Sequence, residues 1–235
     1  NGEWRNTPPE ERAKVMSRWV EILNERMDDL VDLHIAENGV TRRQAMAFHV
    51  GYAISHLQYF ADLAASYEFT RSGPMLGYPT TAAGIVRREP FGVVAGIVPW
   101  NFPMLLAVWK FGPALAAGNT IVLKPDEKTP LTLLEMARAA DDAGIPAGVF
   151  NVVTGPGEVV GARLAAHPDV RKVAFTGSTA VGRTITELSA VNIKKVTLEL
   201  GGKGANIILP DADLSQAVDA ALFAFCLYQL SLIHI

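Results

Sequence analysis

Sulfur and charge are both scarce in this chain. The single cysteine, Cys226, can close no intramolecular disulfide and supply no cysteine-rich metal cluster. That leans towards a reducing, cytoplasmic setting with no metal site. Charged residues make up 19% and hydrophobic residues 49% of the 235 positions, which excludes a disordered tail, a collagen-like repeat and a coiled coil. Lys and Arg number 21 against 24 Asp and Glu, a net charge of −3 without long runs of either sign. Nothing here suits a phosphate backbone or an anionic bilayer surface, so neither a nucleic acid nor a membrane is an expected partner. The stretch from Pro90 to Trp109 has no charged side chain and is long enough to reach across a bilayer. Pro99, Pro103, Gly92, Gly96 and Asn101 break it into a strand, a turn and a helix start. The opening Asn1-Gly2-Glu3-Trp4-Arg5 lacks an initiator Met and a secretory pattern, and reads as a cut terminus.

What is present divides into two rhythms. From Thr7 the pattern is helical: Thr7, Pro8 and Glu10 have the form of a cap, a first-turn proline and a capping-box acceptor. Ala13, Met16, Val20, Leu23, Met27 and Leu30 follow at three- and four-residue steps. A second long helix is expected from about Thr41 to Phe69, and Pro79 to Arg88 reads as an exposed strand pair or arm. Strands and helices then alternate. Strands are expected at Gly92–Val98, Thr120–Leu123, Val149–Val153, Val170–Thr176 and Lys195–Leu198. Helices lie between them, one of them starting at Thr129 as N-cap with Pro130 first. Five strands in this rhythm predict an α/β fold, a doubly wound five-stranded parallel Rossmann-like sheet preceded by N-terminal helices.

Such sheets bind ligands beyond the carboxyl ends of their strands. Polar and glycine residues gather there: Pro99-Trp100-Asn101, Lys124-Pro125-Asp126-Glu127, Thr154-Gly155-Pro156-Gly157, Thr176-Gly177-Ser178-Thr179 and Glu199-Leu200-Gly201-Gly202. Each admits two readings. Gly177-Ser178 opens a helix that can receive an anion, or is an ordinary turn and cap. Lys124 and Glu127 hydrogen-bond a ribose, or form a solvated ion pair. Glu199 is a general base in a partly desolvated cleft, or pairs with a lysine. Asn101 is an amide donor to an oxyanion, or a turn before Pro103. Five such ends on one rim favour the functional readings together.

The segments Pro99-Trp100-Asn101-Phe102-Pro103, Ala117-Gly118-Asn119-Thr120, Lys124-Pro125-Asp126-Glu127-Lys128-Thr129-Pro130, Phe175-Thr176-Gly177-Ser178-Thr179 and Leu198-Glu199-Leu200-Gly201-Gly202-Lys203 resemble the aldehyde dehydrogenase superfamily in order and spacing. The resemblance runs from about Trp4 to about Ala224. It implies oxidation of an aldehyde to a carboxylic acid with NAD(P)+, through a cysteine thioester that an activated water hydrolyses. Asn101 matches the oxyanion donor and Glu199 the general base, and Lys110 falls near the active site. Lys124 and Glu127 match ribose contacts, Gly157 and Gly161 close approach to the adenosine, and Thr176, Gly177 and Ser178 the pyrophosphate edge. Ile97, Val98, Pro99, Trp100, Val181, Leu200 and Gly201 match the surrounding pocket. Glu127 favours NAD by repelling a 2'-phosphate, while Lys124 beside it leaves NADP open.

The match breaks near the end. The family's nucleophile is expected near Ile233, and Cys226 comes too early, on what reads as a buried helix, so it is read as a core thiol. No charged side chain occurs from Ala220 to Ile235. The chain therefore reads as an inactive fragment lacking the catalytic cysteine segment. The divisions expected are a helical scaffold (1–78), an arm resembling part of the oligomerisation strands (79–90), a dinucleotide-binding domain (91–200) and the start of a truncated catalytic domain with an aberrant tail (201–235). The resemblance also implies an aldehyde substrate and a homo-oligomer at full length. A non-catalytic NAD-binding module and a purely structural protein are the alternatives.

Overall fold

A computed structural model describes residues 2–202 and 204–226. The chain opens with a short helix, α1 (Glu3–Asn6), then α2 (Pro9–Glu25) and α3 (Met27–Asn38). Thr7 does not cap α2: its hydroxyl donates to the Glu3 carbonyl at 2.8 Å, and the helix starts one residue beyond Pro8. The single helix expected through Leu30 is broken at Arg26, where φ is −100° and ψ 13°. Arg26 there reaches Asp142 at 2.5 Å. Gly39, at φ +80°, ends α3 in the left-handed conformation that glycine adopts at no steric cost.

Thr41 caps the next helix through the Gln44 amide. This helix is not regular: α4 (Arg42–Gln44) passes into a π-helical stretch, Ala45–Gly51, before α5 (Tyr52–Ser66). A β-carbon at Gly51 would lie 2.4 Å from the Met46 carbonyl oxygen, so the wide turn needs a residue without one. Gly51→Ala is expected to lower stability by about 1–3 kcal/mol, the usual cost of overpacking, as a lower urea midpoint. An unchanged midpoint would mean that the turn relaxes without penalty.

The helix expected as far as Phe69 stops at Ser66, and the chain enters an exposed antiparallel ribbon, β1 (Thr70–Leu76) and β2 (Ala82–Arg87), registered Thr70 to Arg87. The arm thus begins inside the segment read as helical scaffold. Next come β3 (Val93–Ile97), α6 (Pro103–Ala116), β4 (Thr120–Lys124), α7 (Leu131–Asp142) and β5 (Phe150–Val152). A π-helical turn (Gly157–Gly161) leads into α8 (Ala162–Ala166), β6 (Val170–Gly177), α9 (Thr179–Ser189) and β7 (Lys195–Leu200). The last described element is α10 (Leu214–Cys226), whose start Asp213 holds by accepting from the Ser215 and Gln216 amides.

The five strands form one parallel sheet in the order β5-β4-β3-β6-β7. Alternation along β3 feeds two cores. Val94 joins Ile121 and Leu123 beneath α2, α5, α6 and α7, while Ala95 and Ile97 join Val173, Phe175 and Ile185 beneath α8 and α9. Trp19 ties the N-terminal helices to this body, its ring 5.0 Å from Phe111 and 5.1 Å from Phe150. The order makes the sheet doubly wound: the chain runs outward from β3 through β4 and β5, then crosses back to β6. The crevice of such a sheet opens where the winding reverses, between the carboxyl ends of β3 and β6.

Candidate active site

On one side of that crevice β3 runs into Pro99, Trp100 and Asn101. Ile97 and Val98 are buried, and the Val98 amide donates to the Lys124 carbonyl at 3.1 Å, extending the ladder past the strand end. The Trp100 carbonyl accepts from the Asn38 amide at 2.7 Å and from the Thr129 hydroxyl at 3.5 Å. The Lys128 ammonium lies 5.4 Å from the Trp100 ring centre. Asn101 is only 1% exposed, so its amide is folded into the turn rather than displayed to solvent.

Beside it, Lys124 closes β4 in register with Ile97. Lys124 is buried, with Nζ 3.7 Å from Glu127 Oε1. The same carboxylate accepts the Gly157 amide at 2.9 Å. One side chain therefore links the loops after β4 and β5, a contact that residue types alone did not suggest. Gly155 turns that loop at φ +136°, and a β-carbon on Gly157 would meet nothing within 4 Å, leaving its backbone open to a ligand. Gly161 lies under the rim, where a β-carbon would sit 3.8 Å from Ile97 Cδ1.

Across the crevice β6 ends in Thr176 and Gly177. A β-carbon at Gly177 would come within 2.4 Å of the Phe175 ring. Ser178 caps α9 through the Val181 amide at 3.3 Å. Glu199 does not follow β7 but lies within it, paired with Thr176, and Leu200 pairs with Gly177. Glu199 is exposed rather than enclosed in a cleft. Lys110 Nζ donates to the Thr176 hydroxyl at 2.6 Å. Burial lowers the Lys110 pKa to about 8, with the Glu199 carboxylate pulling it back up. Lys110, Thr176 and Glu199 thus form one polar cluster, and Lys124, Glu127 and Gly157 another. Val159, Val181 and Leu200 leave apolar surface exposed, and Gly201 is half-buried.

This donor set fits a dinucleotide. It offers a lysine–carboxylate pair for ribose hydroxyls, a capped helix start for a pyrophosphate and exposed aliphatic groups for flat rings. Among the described residues no group of three or more acidic, histidine or cysteine side chains could hold a metal, and no helix is long and apolar enough to cross a membrane. The place expected for the nucleophile, near Ile233, and the Cys226 side chain lie outside the described residues, as does Lys203.

Known proteins share this architecture. The chain is 45% identical over 223 residues to phenylacetaldehyde dehydrogenase of Pseudomonas fluorescens, covering 94% of this chain and 44% of that protein. The crystal structure of PnpE in complex with nicotinamide adenine dinucleotide superposes with a TM-score of 0.89 at 42% identity, over 94% of this chain and 45% of that one. Aldehyde dehydrogenase C of Pseudomonas syringae, a mutant holding NAD+ and octanal, does so with a TM-score of 0.89 at 41% identity, over 97% and 46%. The chain spans about half the length of these relatives. The aldehyde dehydrogenase family pattern matches residues 1–229, and with the sheet, the crevice and the rim residues in place, the chain belongs to the aldehyde dehydrogenase family.

Proposed function

We propose that this chain is the dinucleotide-binding half of an NAD(P)-dependent oxidoreductase that converts an aldehyde to a carboxylic acid. The observation that carries the reading is the Lys124–Glu127–Gly157 bridge beside the β3/β6 crevice. Lys124 and Glu127 hold ribose hydroxyls, and Gly157 and Gly161 let the backbone approach the adenosine. Thr176, Gly177 and Ser178 carry the pyrophosphate edge at the start of α9. Ile97, Val98, Pro99, Trp100, Val181, Leu200 and Gly201 complete the pocket. Bound NAD(P)+ supplies the hydride acceptor. Asn101 donates to the developing oxyanion and Glu199 takes a proton from water; such chemistry also needs a thiol nucleophile. Support for NAD+ comes from the complexes of PnpE and aldehyde dehydrogenase C. The Glu127 carboxylate disfavours a 2'-phosphate and so favours NAD+.

The reading extends to a cytoplasmic location, to a division into helical scaffold, arm, dinucleotide-binding domain and the start of a catalytic domain, and to a homo-oligomer built on the β1–β2 arm. Met75, Tyr78 and Ile85 are 75%, 91% and 75% exposed around that arm, which supports its use as a contact surface.

Calorimetric titration with NAD+ tests the site. Lys124→Ala is expected to weaken binding about tenfold or more, the loss of a charge-assisted contact. No heat with wild-type chain, or an equal dissociation constant for the variant, would refute it. Binding without NADH formation from any aldehyde, indifferent to Cys226→Ser, would mark the chain as a binding module.

A further inference from the structure

The last two residues of α3 hold the loops that follow β3 and β4, on one side of the crevice. Glu37, whose side chain is 2% exposed, caps α7: Oε2 accepts from the Leu131 amide at 2.7 Å and Oε1 from the Thr132 amide at 3.1 Å. The Thr132 hydroxyl also donates to Oε1. That cap fixes the start of α7, and with it the end of the loop carrying Lys124 and Glu127. Asn38 next to it donates from Nδ2 to the Trp100 carbonyl at 2.7 Å, one residue before Asn101. The two loops meet there, since Thr129 also donates to the Trp100 carbonyl.

The other end of the Asn38 amide is informative. Its Oδ1 is buried and has no hydrogen-bond partner among the described residues. A buried, unsatisfied acceptor costs more than a made hydrogen bond returns. An apolar side chain at that position would avoid that cost but leave the Trp100 carbonyl with only the 3.5 Å contact from Thr129. We propose that Asn38 and Glu37 are positioning residues for the dinucleotide crevice, Asn38 by holding the Trp100 turn and Glu37 by holding the start of α7. The inference rests on the reading of that crevice as a dinucleotide site.

Two measurements on the whole chain test it: calorimetric NAD+ titration, and amide hydrogen exchange without ligand. For Asn38→Ala the NAD+ dissociation constant is expected to rise about tenfold, the equivalent of one net hydrogen bond. The Asn101 and Phe102 amides are expected to exchange faster while those of α2 do not change. A purely structural asparagine would lower the unfolding midpoint and leave both readouts of the folded chain unmoved. Affinity within about twofold of wild type, or unchanged exchange at Asn101 and Phe102, overturns the proposal. Should Asn38→Ala fail to fold, Glu37→Gln takes its place. It keeps one acceptor oxygen, and is expected to weaken NAD+ binding and speed exchange at Leu131 and Thr132, with unchanged values of either overturning it. If the wild-type chain binds no NAD+, the functional reading fails by itself. The exchange comparison then decides the bracing: faster exchange supports it and equal exchange refutes it.

Discussion

Lowering the pH from 7 to about 4 removes several kcal/mol of folding stability, most of it through His34 and His49. Both rings are buried, 0% and 1% exposed, with centroids 4.7 Å apart. His49 also stacks on Phe102 at 4.4 Å and 4°. Burial lowers the His34 pKa to about 4. Burial first, and the neighbouring His34 second, lower that of His49 to about 3. In the unfolded chain both titrate near about 6.5. Above that value the rings are neutral in both states and stability is complete. As pH falls through about 6.5 towards 4, the unfolded chain takes up protons that the fold refuses, and stability is lost. The Glu37 carboxylate lies 3.9 Å from His34 Nδ1, and burial still sets the direction. Every tenfold fall in a ring's proton affinity is worth about 1.4 kcal/mol, so the two rings withdraw a large part of the roughly 5–15 kcal/mol that holds a typical domain. Urea unfolding between pH 7 and 4 should show a linked uptake approaching about two protons. His49→Phe keeps a ring against Phe102 and should cut the uptake to about one. A variant with the wild-type slope would show that these histidines do not drive the acid transition.

The acid-sensitive pair and the crevice braces share a property that explains what was legible in the sequence. The parallel sheet and the Ser178 cap rest on periodicity and neighbours a few residues apart, and their residues do form those elements. Thr129 fits the same kind of local pattern and fails. Glu37, distant in sequence, caps α7 instead, and the Thr129 hydroxyl turns to the Trp100 carbonyl. Thr7 fails likewise, because α1 offers the Glu3 carbonyl one turn earlier. Spacing along the chain specifies which backbone groups need a partner, but the partner is chosen by whichever side chain the tertiary fold delivers. The candidate site follows the same division. Its strand-end positions were readable from the rhythm of strands and glycines. The Glu127 bridge to Gly157, the burial of Asn101 and the exposure of Glu199 within β7 depend on sheet order and loop packing. His34, Glu37 and Asn38 carried no signal, being one polar turn of an otherwise ordinary helix.

Replacing Lys110 by Met should stabilise the chain at pH 7 by about 2 kcal/mol. The lysine stands on α6 with its ammonium drawn inward to the Thr176 hydroxyl, and burial lowers its pKa from 10.5 to about 8. At pH 7 the group is charged in both states, so the fold bears the whole desolvation cost. Between about 8 and 10.5 the folded chain sheds the proton that the unfolded chain keeps, and stability rises with pH. The shift corresponds to about 3 kcal/mol, from which losing the Thr176 hydrogen bond takes back about 1. Methionine matches the unbranched stem and fills irregular space readily. Wild-type urea midpoints should therefore climb across that pH window while those of Lys110→Met stay level and start higher. A lower midpoint for the variant at pH 7 would mean that Thr176 and Glu199 repay the burial in full and that the lysine is structural. The expected gain instead identifies a side chain kept against the interest of stability.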